Sequence, residues 1–242
     1  MSEPAGPALA EVRALAAAAW AFRWRVELEA EVRFDRLADR LEAMADGRSL
    51  APLARRAALD ERRHAGHCAR LAAAYGSPVS GAVPPPPEVA PARLEPEEAT
   101  CYELVAACCV AETGSVAVLT SLLTSTSEPQ VRGVLHELAV DEVDHARLGW
   151  AALAMAQRRG GTGFLAPLLP AMLGGSVDDD FFLPVEPARE DPRLLEFGVL
   201  PHTARRDLFV ETLERVVFPG LEGAGVDTAA GRAWLAEGRR IR

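Results

Sequence analysis

No run of about 18 uncharged apolar residues occurs in this chain. The nearest, residues 104–123 (LVAACCVAETGSVAVLTSLL), carries Glu112 in its middle, so no membrane partner is expected. The opening residues, MSEPAGPALAEV, lack the basic patch and long apolar core of a secretion signal, which points to a cytoplasmic setting. Cysteine is scarce: Cys68, Cys101, Cys108 and Cys109 include no C-x-x-C pair, so they are expected to be reduced and mostly buried. A net charge of −9 supplies no cationic face for phosphates, and no nucleic-acid partner is expected. Only 2 Tyr and 4 Trp are present and Val-rich alternating runs are few, whereas Ala, Leu, Arg and Glu abound, which favours helices.

The fold class expected is therefore all-α. One helix is read from about Pro7 to Ala45, where Asp46-Gly47 stops it, and a second from after Ser49 to about Tyr75, with Pro52 in its first turn. Residues 76–93 (GSPVSGAVPPPPEVAPAR) then break all periodicity, and their prolines favour an extended crossover long enough to span a bundle. A third helix is read from about Glu95 to Thr124. A fourth runs from about Pro129 to Arg158, with Ser127 as candidate N-cap and Gly160-Gly161 as its stop. The order is hairpin, long crossover, hairpin. Residues 1–160 are read as one four-helix unit. Residues 161–242 are read as an irregular and helical extension packed on it. Two amphipathic helices are expected there, one after Thr203 and halted by Pro219-Gly220, the other after Asp227.

The chemistry lies in a repeated hexapeptide, Asp60-Glu61-Arg62-Arg63-His64-Ala65 and Asp141-Glu142-Val143-Asp144-His145-Ala146, two DExxHA motifs 81 residues apart. Residues three apart share a helix face, so each Glu and His can grip one metal together. Carboxylate oxygens with imidazole nitrogen suit iron, and manganese or a mixed pair equally. A single Glu-x-x-His is weak, since a surface glutamate beside a satisfied histidine produces it; two copies in matching hairpins are not. The third helix adds Glu112, aligned with Val105, Cys108, Ser115, Leu119 and Leu122 on an apolar face where a carboxylate is costly unless paired or metal-bound. Glu103 is read as facing the opposite way and solvated. On the first helix, Glu27 lies nearer the Ala30/Phe34/Leu37/Leu41 face and Glu31 further round. Glu31, however, is 30 residues before Glu61, the same separation as Glu112 to Glu142, while Glu27 is 34 before it. Amphipathicity selects Glu27 and pseudo-symmetry Glu31; Glu27 is the residue expected.

This pattern resembles the ferritin-like di-iron carboxylate superfamily, which builds its site from one Glu on each of two helices and a Glu-x-x-His on each of the other two. The resemblance covers roughly residues 10–158. It implies an antiparallel ferritin-like bundle holding two iron ions, with Glu27 and Glu112 as mainly terminal carboxylates, Glu61 and Glu142 bridging, and His64 and His145 each capping one metal. The absence of C-x-x-C sets the chain apart from rubrerythrins, and its extra length from storage ferritins. The expectation is an O₂-dependent oxidase or oxygenase acting on a small organic substrate. O₂ would be co-substrate, an external electron donor and a homodimer are candidate partners, and the extension would roof a pocket lined by Ala106, Cys109, Ser115 and Val116. The alternative is a ferroxidase, storing iron or removing peroxide.

Around the motifs, His67 is read as a polar-face histidine, with a third nitrogen ligand or proton relay as the sharper option. Asp60 and Asp141 are either solvated or acceptors for a histidine of the facing hairpin. Cys68 and Cys108 are buried fillers or pocket lining. Trp20, Phe22, Trp24 and Phe34 are read as core or interface, and Arg55, Arg56, Arg62 and Arg63 as a solvated face. Tyr75 and Tyr102 sit too far from the ligands to act beside them.

Overall fold

The computed structural model describes residues 7–241; residues 1–6, on which the leader expectation partly rests, lie outside the described part. Its described residues are helical or irregular, with no strand among them. Helix α1 spans Leu9–Ala43. A short 3₁₀ turn at Gly47–Ser49 reverses the chain, and α2 follows at Ala51–Tyr75. Gly47 is required at the reversal: a Cβ there would lie 2.5 Å from the Leu41 carbonyl oxygen. Gly76, at φ 113°, ends α2 in the left-handed region that glycine tolerates.

The proline-rich crossover runs without regular structure to α3 and is tied to α1. Arg36 donates to the Pro86 carbonyl at 3.1 Å, and Arg40 pairs with Glu88. Helix α3 covers Pro96–Ser125, begun by a capping box between Glu95 and Glu98 and widened to π-helix over Val105–Glu112. It is long and apolar enough to cross a membrane by length and composition. It packs on α1 and on the next helix, and it buries Glu103.

Helix α4 spans Pro129–Arg158. Its cap is Glu128 rather than the expected Ser127, because Pro129 takes the first helical position and the Glu128 carboxylate accepts from the Val131 N–H at 2.6 Å. The α1 helix packs along α2, α2 against α4, and α4 against α3, which returns to α1. Two apolar clusters fill the interior. One gathers Phe34, Leu37, Leu41, Leu104 and Leu148, the other Trp20, Leu71, Leu119, Leu135 and Leu138. Trp20 and Phe34 are thus core, while Phe22 is exposed.

The C-terminal stretch is more ordered than its composition suggests. Helix α5 covers Leu169–Gly174, and α7 Ala229–Gly238. Between them α6 begins at His202 and does not halt at Pro219-Gly220; it continues to Gly223. A proline ring clashes with the carbonyl four residues back in a regular α-helix, and the π-helical stretch Leu213–Val217 re-spaces that turn. Gly220 then lies against the Trp150 ring, which a Cβ would approach to 2.6 Å. Leu165, Leu169, Phe218 and Leu221 share one cluster with Cys101, Val105 and Cys109 of α3 and Leu153 of α4, so the extension and the long helices are joined by a common core.

Candidate metal centre

Four helices each contribute to one buried cluster. Glu27 comes from α1, Glu61 and His64 from α2, Glu112 from α3, and Glu142 and His145 from α4. Two groups form within it, each with donor atoms all inside 4.8 Å of one another: Glu27, Glu61, His64 and Glu142, and Glu61, Glu112, Glu142 and His145. Glu61 and Glu142 belong to both. All six are buried except Glu112, which is half-buried because it faces a cavity.

The contest on α1 is decided by what each carboxylate touches. Glu27 is 4% exposed and inside the cluster. Glu31 pairs instead with Arg62 at the surface, and Glu29 with Arg25 at 2.8 Å. The helical-face argument, not the equal spacing, selects the residue that enters the site, since the π-helical stretch gives α3 a phase that α1 lacks. That stretch ends on Glu112. Gly149 of α4 faces it so closely that a Cβ would lie 2.4 Å from Cys108 Cβ.

The histidines are oriented from outside. Nε2 of His64 lies 3.0 Å from Oδ2 of Asp141, and a carboxylate can only accept, so the ring donates there and leaves Nδ1 as a lone-pair donor toward the cluster. Nδ1 of His145 lies 3.0 Å from Glu61 and 3.1 Å from Glu142, with its Nε2 3.6 Å from Asp60. Arg63 contacts both Asp60 and Asp141, and Arg56 also holds Asp60. These arginines are exposed, as expected, yet they clamp the aspartates rather than face solvent alone. Arg55 likewise pairs with Asp35 and Asp39.

Nδ1 of His64 is buried without a hydrogen-bond partner, and the buried Glu61 carboxylate lies against the two imidazoles, 3.0 Å from His145 Nδ1 and 3.3 Å from His64 Nδ1. Burial, the charge of Glu142 and the charge of Glu27 push the Glu61 carboxyl well above its usual range. Burial, with Glu142 and Glu61 beside it, does the same to Glu112. For Glu142 burial acts upward, but its bonds to His145 and Glu112 and the Arg23 charge hold it at about 2. For His145 burial acts downward, yet Glu142 and Glu61 draw it up to about 11. Crowded with other carboxylates in a dry interior, Glu61 and Glu112 thus hold protons that cations would displace. The buried Nδ1 of His64 without a partner, the crowded carboxylates and the two imidazoles among them all fit two divalent ions.

Arg23 went unnoticed in the sequence, although it lies one helical turn before Glu27. It donates to Glu27 at 2.7 Å and to Ser115 at 3.1 Å, and lies 3.6 Å from Glu142. Glu103 also departs from expectation. It is fully buried, not solvated, and is held by Arg36 at 3.1 Å and Arg40 at 3.3 Å, outside the cluster. His67 pairs with Glu137 at 3.0 Å and stays out of the site. Cys68 and Cys108 are buried free thiols whose ionisation burial suppresses, and neither lines the cavity. Tyr75 packs on Phe197 instead.

The cavity measures about 580 Å³ and is bounded by α1, α3, Glu142 of α4 and the C-terminal extension, the last through Val177, Phe181, Leu194, Leu200 and Phe209. Of the lining expected from α3 only Ser115 is present; Ala106 and Cys109 pack against the extension, and the wall is formed by Val110, Ala111, Gly114 and Val118. No family model, curated protein or solved structure matches the chain.

Proposed function

We propose that this chain is a ferritin-like di-metal carboxylate protein, an antiparallel four-helix bundle with a long crossover, whose activity is O₂-dependent oxidation of a small organic substrate. Glu27 and His64 would hold one iron ion and Glu112 and His145 the other, with Glu61 and Glu142 shared between them. Two ferrous ions held this way supply the electrons for reducing O₂. Manganese at one or both positions suits the same ligands.

The chain's own residues do the rest. Asp141 steadies the His64 ring, and Asp60 lies beside that of His145. Arg23 balances the charge of Glu27 and Glu142 and, with Ser115, fixes their orientation. The observation that carries the reading is the cavity: Glu27, Glu112 and Glu142 face a half-open, largely apolar space partly covered by the extension. Iron oxidation alone needs no such chamber, whereas an organic substrate does.

Anaerobic loading with ferrous iron, followed by oxygen, separates this reading from storage. The oxidase reading expects about two irons per chain and O₂ uptake that rises with an organic substrate. Iron accumulating far beyond two per chain in a large hollow assembly would overturn it in favour of a ferroxidase.

A further inference from the structure

The lining of the cavity along α1 runs from Leu15 to Arg33, a length of roughly 27 Å at 1.5 Å per residue. Most of this wall is aliphatic or aromatic. Its charges balance only while the metal cluster is empty. Arg23, Arg33, Arg189 and Arg205 all line it, against Glu27, Glu112, Glu142 and Asp178. The three glutamates belong to the metal cluster and are neutralised once it is filled. Among the described lining residues, four guanidiniums then face one aspartate.

Two of these arginines are loosely committed. Arg205 has Asp178 at 3.8 Å, beyond hydrogen-bond range, and lies over the Phe181 ring at 5.4 Å. Arg189 holds Asp180 at 3.2 Å, but that aspartate is half exposed and does not line the cavity. Exposed pairs of this kind are worth little and exchange readily. Arg33 keeps its Nε buried without a partner. Burial holds the Arg205 guanidinium below its usual value; Asp178 acts against this, and the positive charges of Arg189 and Arg23 add to it, so an anion placed among the arginines is favoured.

We infer that the cavity takes an organic acid, its carboxylate held by Arg205 and Arg189 and its apolar body lying along α1. This names the substrate class of the proposed function and rests on it for the neutralised glutamates. A planar guanidinium fork matches a carboxylate in two parallel bonds, and Phe181 keeps the Arg205 fork in place. The aliphatic wall removes the rest of the molecule from water, which a neutral or cationic analogue of the same length would gain without the anchor.

The test loads the full chain with zinc, which is redox-inert and accepts these ligands. Octanoate, 1-octanol and octylamine are then titrated calorimetrically into it, with the metal content of the same sample measured. Octanoate is expected to bind at least about ten-fold tighter than either analogue. Arg205→Leu and Arg189→Leu should each cut that preference to about three-fold or less while leaving octanol binding within about two-fold, a readout that a misfolded variant would fail. Octanoate binding no tighter than octanol overturns the inference. So does a preference that survives both substitutions but vanishes when the metal is removed, which would put the carboxylate on the ions. Two metals per chain without the preference sink the acid pocket alone. The preference without bound metal sinks the di-metal reading and leaves the pocket standing.

Discussion

Oδ2 of Asp141 stands 3.0 Å from Nε2 of His64, and in the mirrored position Asp60 stands 3.6 Å from Nε2 of His145. Each DExxHA motif therefore places the aspartate before its own glutamate beside the histidine of the other, hydrogen-bonded at His64 and too distant for a hydrogen bond at His145. Such outer partners fix the ring and tautomer that a metal meets. Asp141→Ala should lower divalent-metal affinity by roughly 10–100-fold, and Asp60→Ala by less, because its contact is longer. Competitive titration against a chelating dye measures both. An Asp141→Ala protein with parental affinity would remove this role.

The shared and terminal carboxylates should separate by metal count. Glu61→Ala, which breaks both groups, is expected to hold almost no metal. Glu27→Ala should keep about one ion, held by the Glu112 and His145 side, and Glu31→Ala should keep both. Metal analysis after gel filtration reads this directly, and a loss on Glu31→Ala equal to that on Glu27→Ala would reopen the choice on α1.

Proton linkage follows from the same cluster. His145 is raised from its ordinary 6.5 to about 11, and Glu61 and Glu112 are raised above theirs. Raised groups contribute stability below their unfolded values and lose it as pH climbs toward the folded ones. Glu142 acts oppositely, contributing above 4.5 and losing that contribution as pH falls toward 2. Metal-free protein should therefore lose thermal stability between pH 6.5 and 9, and added divalent metal should reduce the slope. Loading near pH 7 should release at least about one proton per chain, measured by calorimetry in buffers of different ionisation enthalpy. A metal-free melting temperature that rises over that interval would contradict the assignment.

Glu103 predicts a stability effect without a metal effect. Its removal leaves Arg36 and Arg40 around an emptied buried site, a loss on the order of 3 kcal/mol. Urea denaturation should show this for Glu103→Ala and a smaller loss for Glu103→Gln, with two metals still bound by each folded variant.

Gly149→Ala should cost about 1–3 kcal/mol, since its Cβ would come within 2.4 Å of Cys108 Cβ and 3.0 Å of the Cys109 backbone nitrogen. The displaced segment ends on Glu112, so metal affinity should fall together with the unfolding midpoint. Gly133→Ala, in open space on the same helix, is the control.

The four long helices were legible because their apolar residues recur at helical spacing and their ends carry Gly76, Pro52 and Pro129. The six cluster residues were legible because carboxylate and imidazole at i and i+3 leave few chemical readings when the motif occurs twice. Glu103 reads as solvated because a constant helical pitch does not hold through the π-helical stretch that follows it, and because its partners come from α1. Arg23 was invisible because a cation four residues before a glutamate reads as an ordinary surface pair until α3 and α4 close around it. Pro219 reads as a stop because nothing local reveals that the preceding turn widens. The extension's place over the cavity depends on contacts across the whole chain, which no local pattern encodes.

The central claim is that one buried cluster holds two metal ions between the paired motifs. Anaerobic titration of the metal-free chain with ferrous iron, followed by elemental analysis, tests it most directly. The account predicts about two irons per parent chain, nearly none in a folded Glu142→Ala variant, which breaks both groups, and about one in a folded His145→Ala variant, which breaks one. No stoichiometric iron in the parent, or parental iron in both variants, would contradict it.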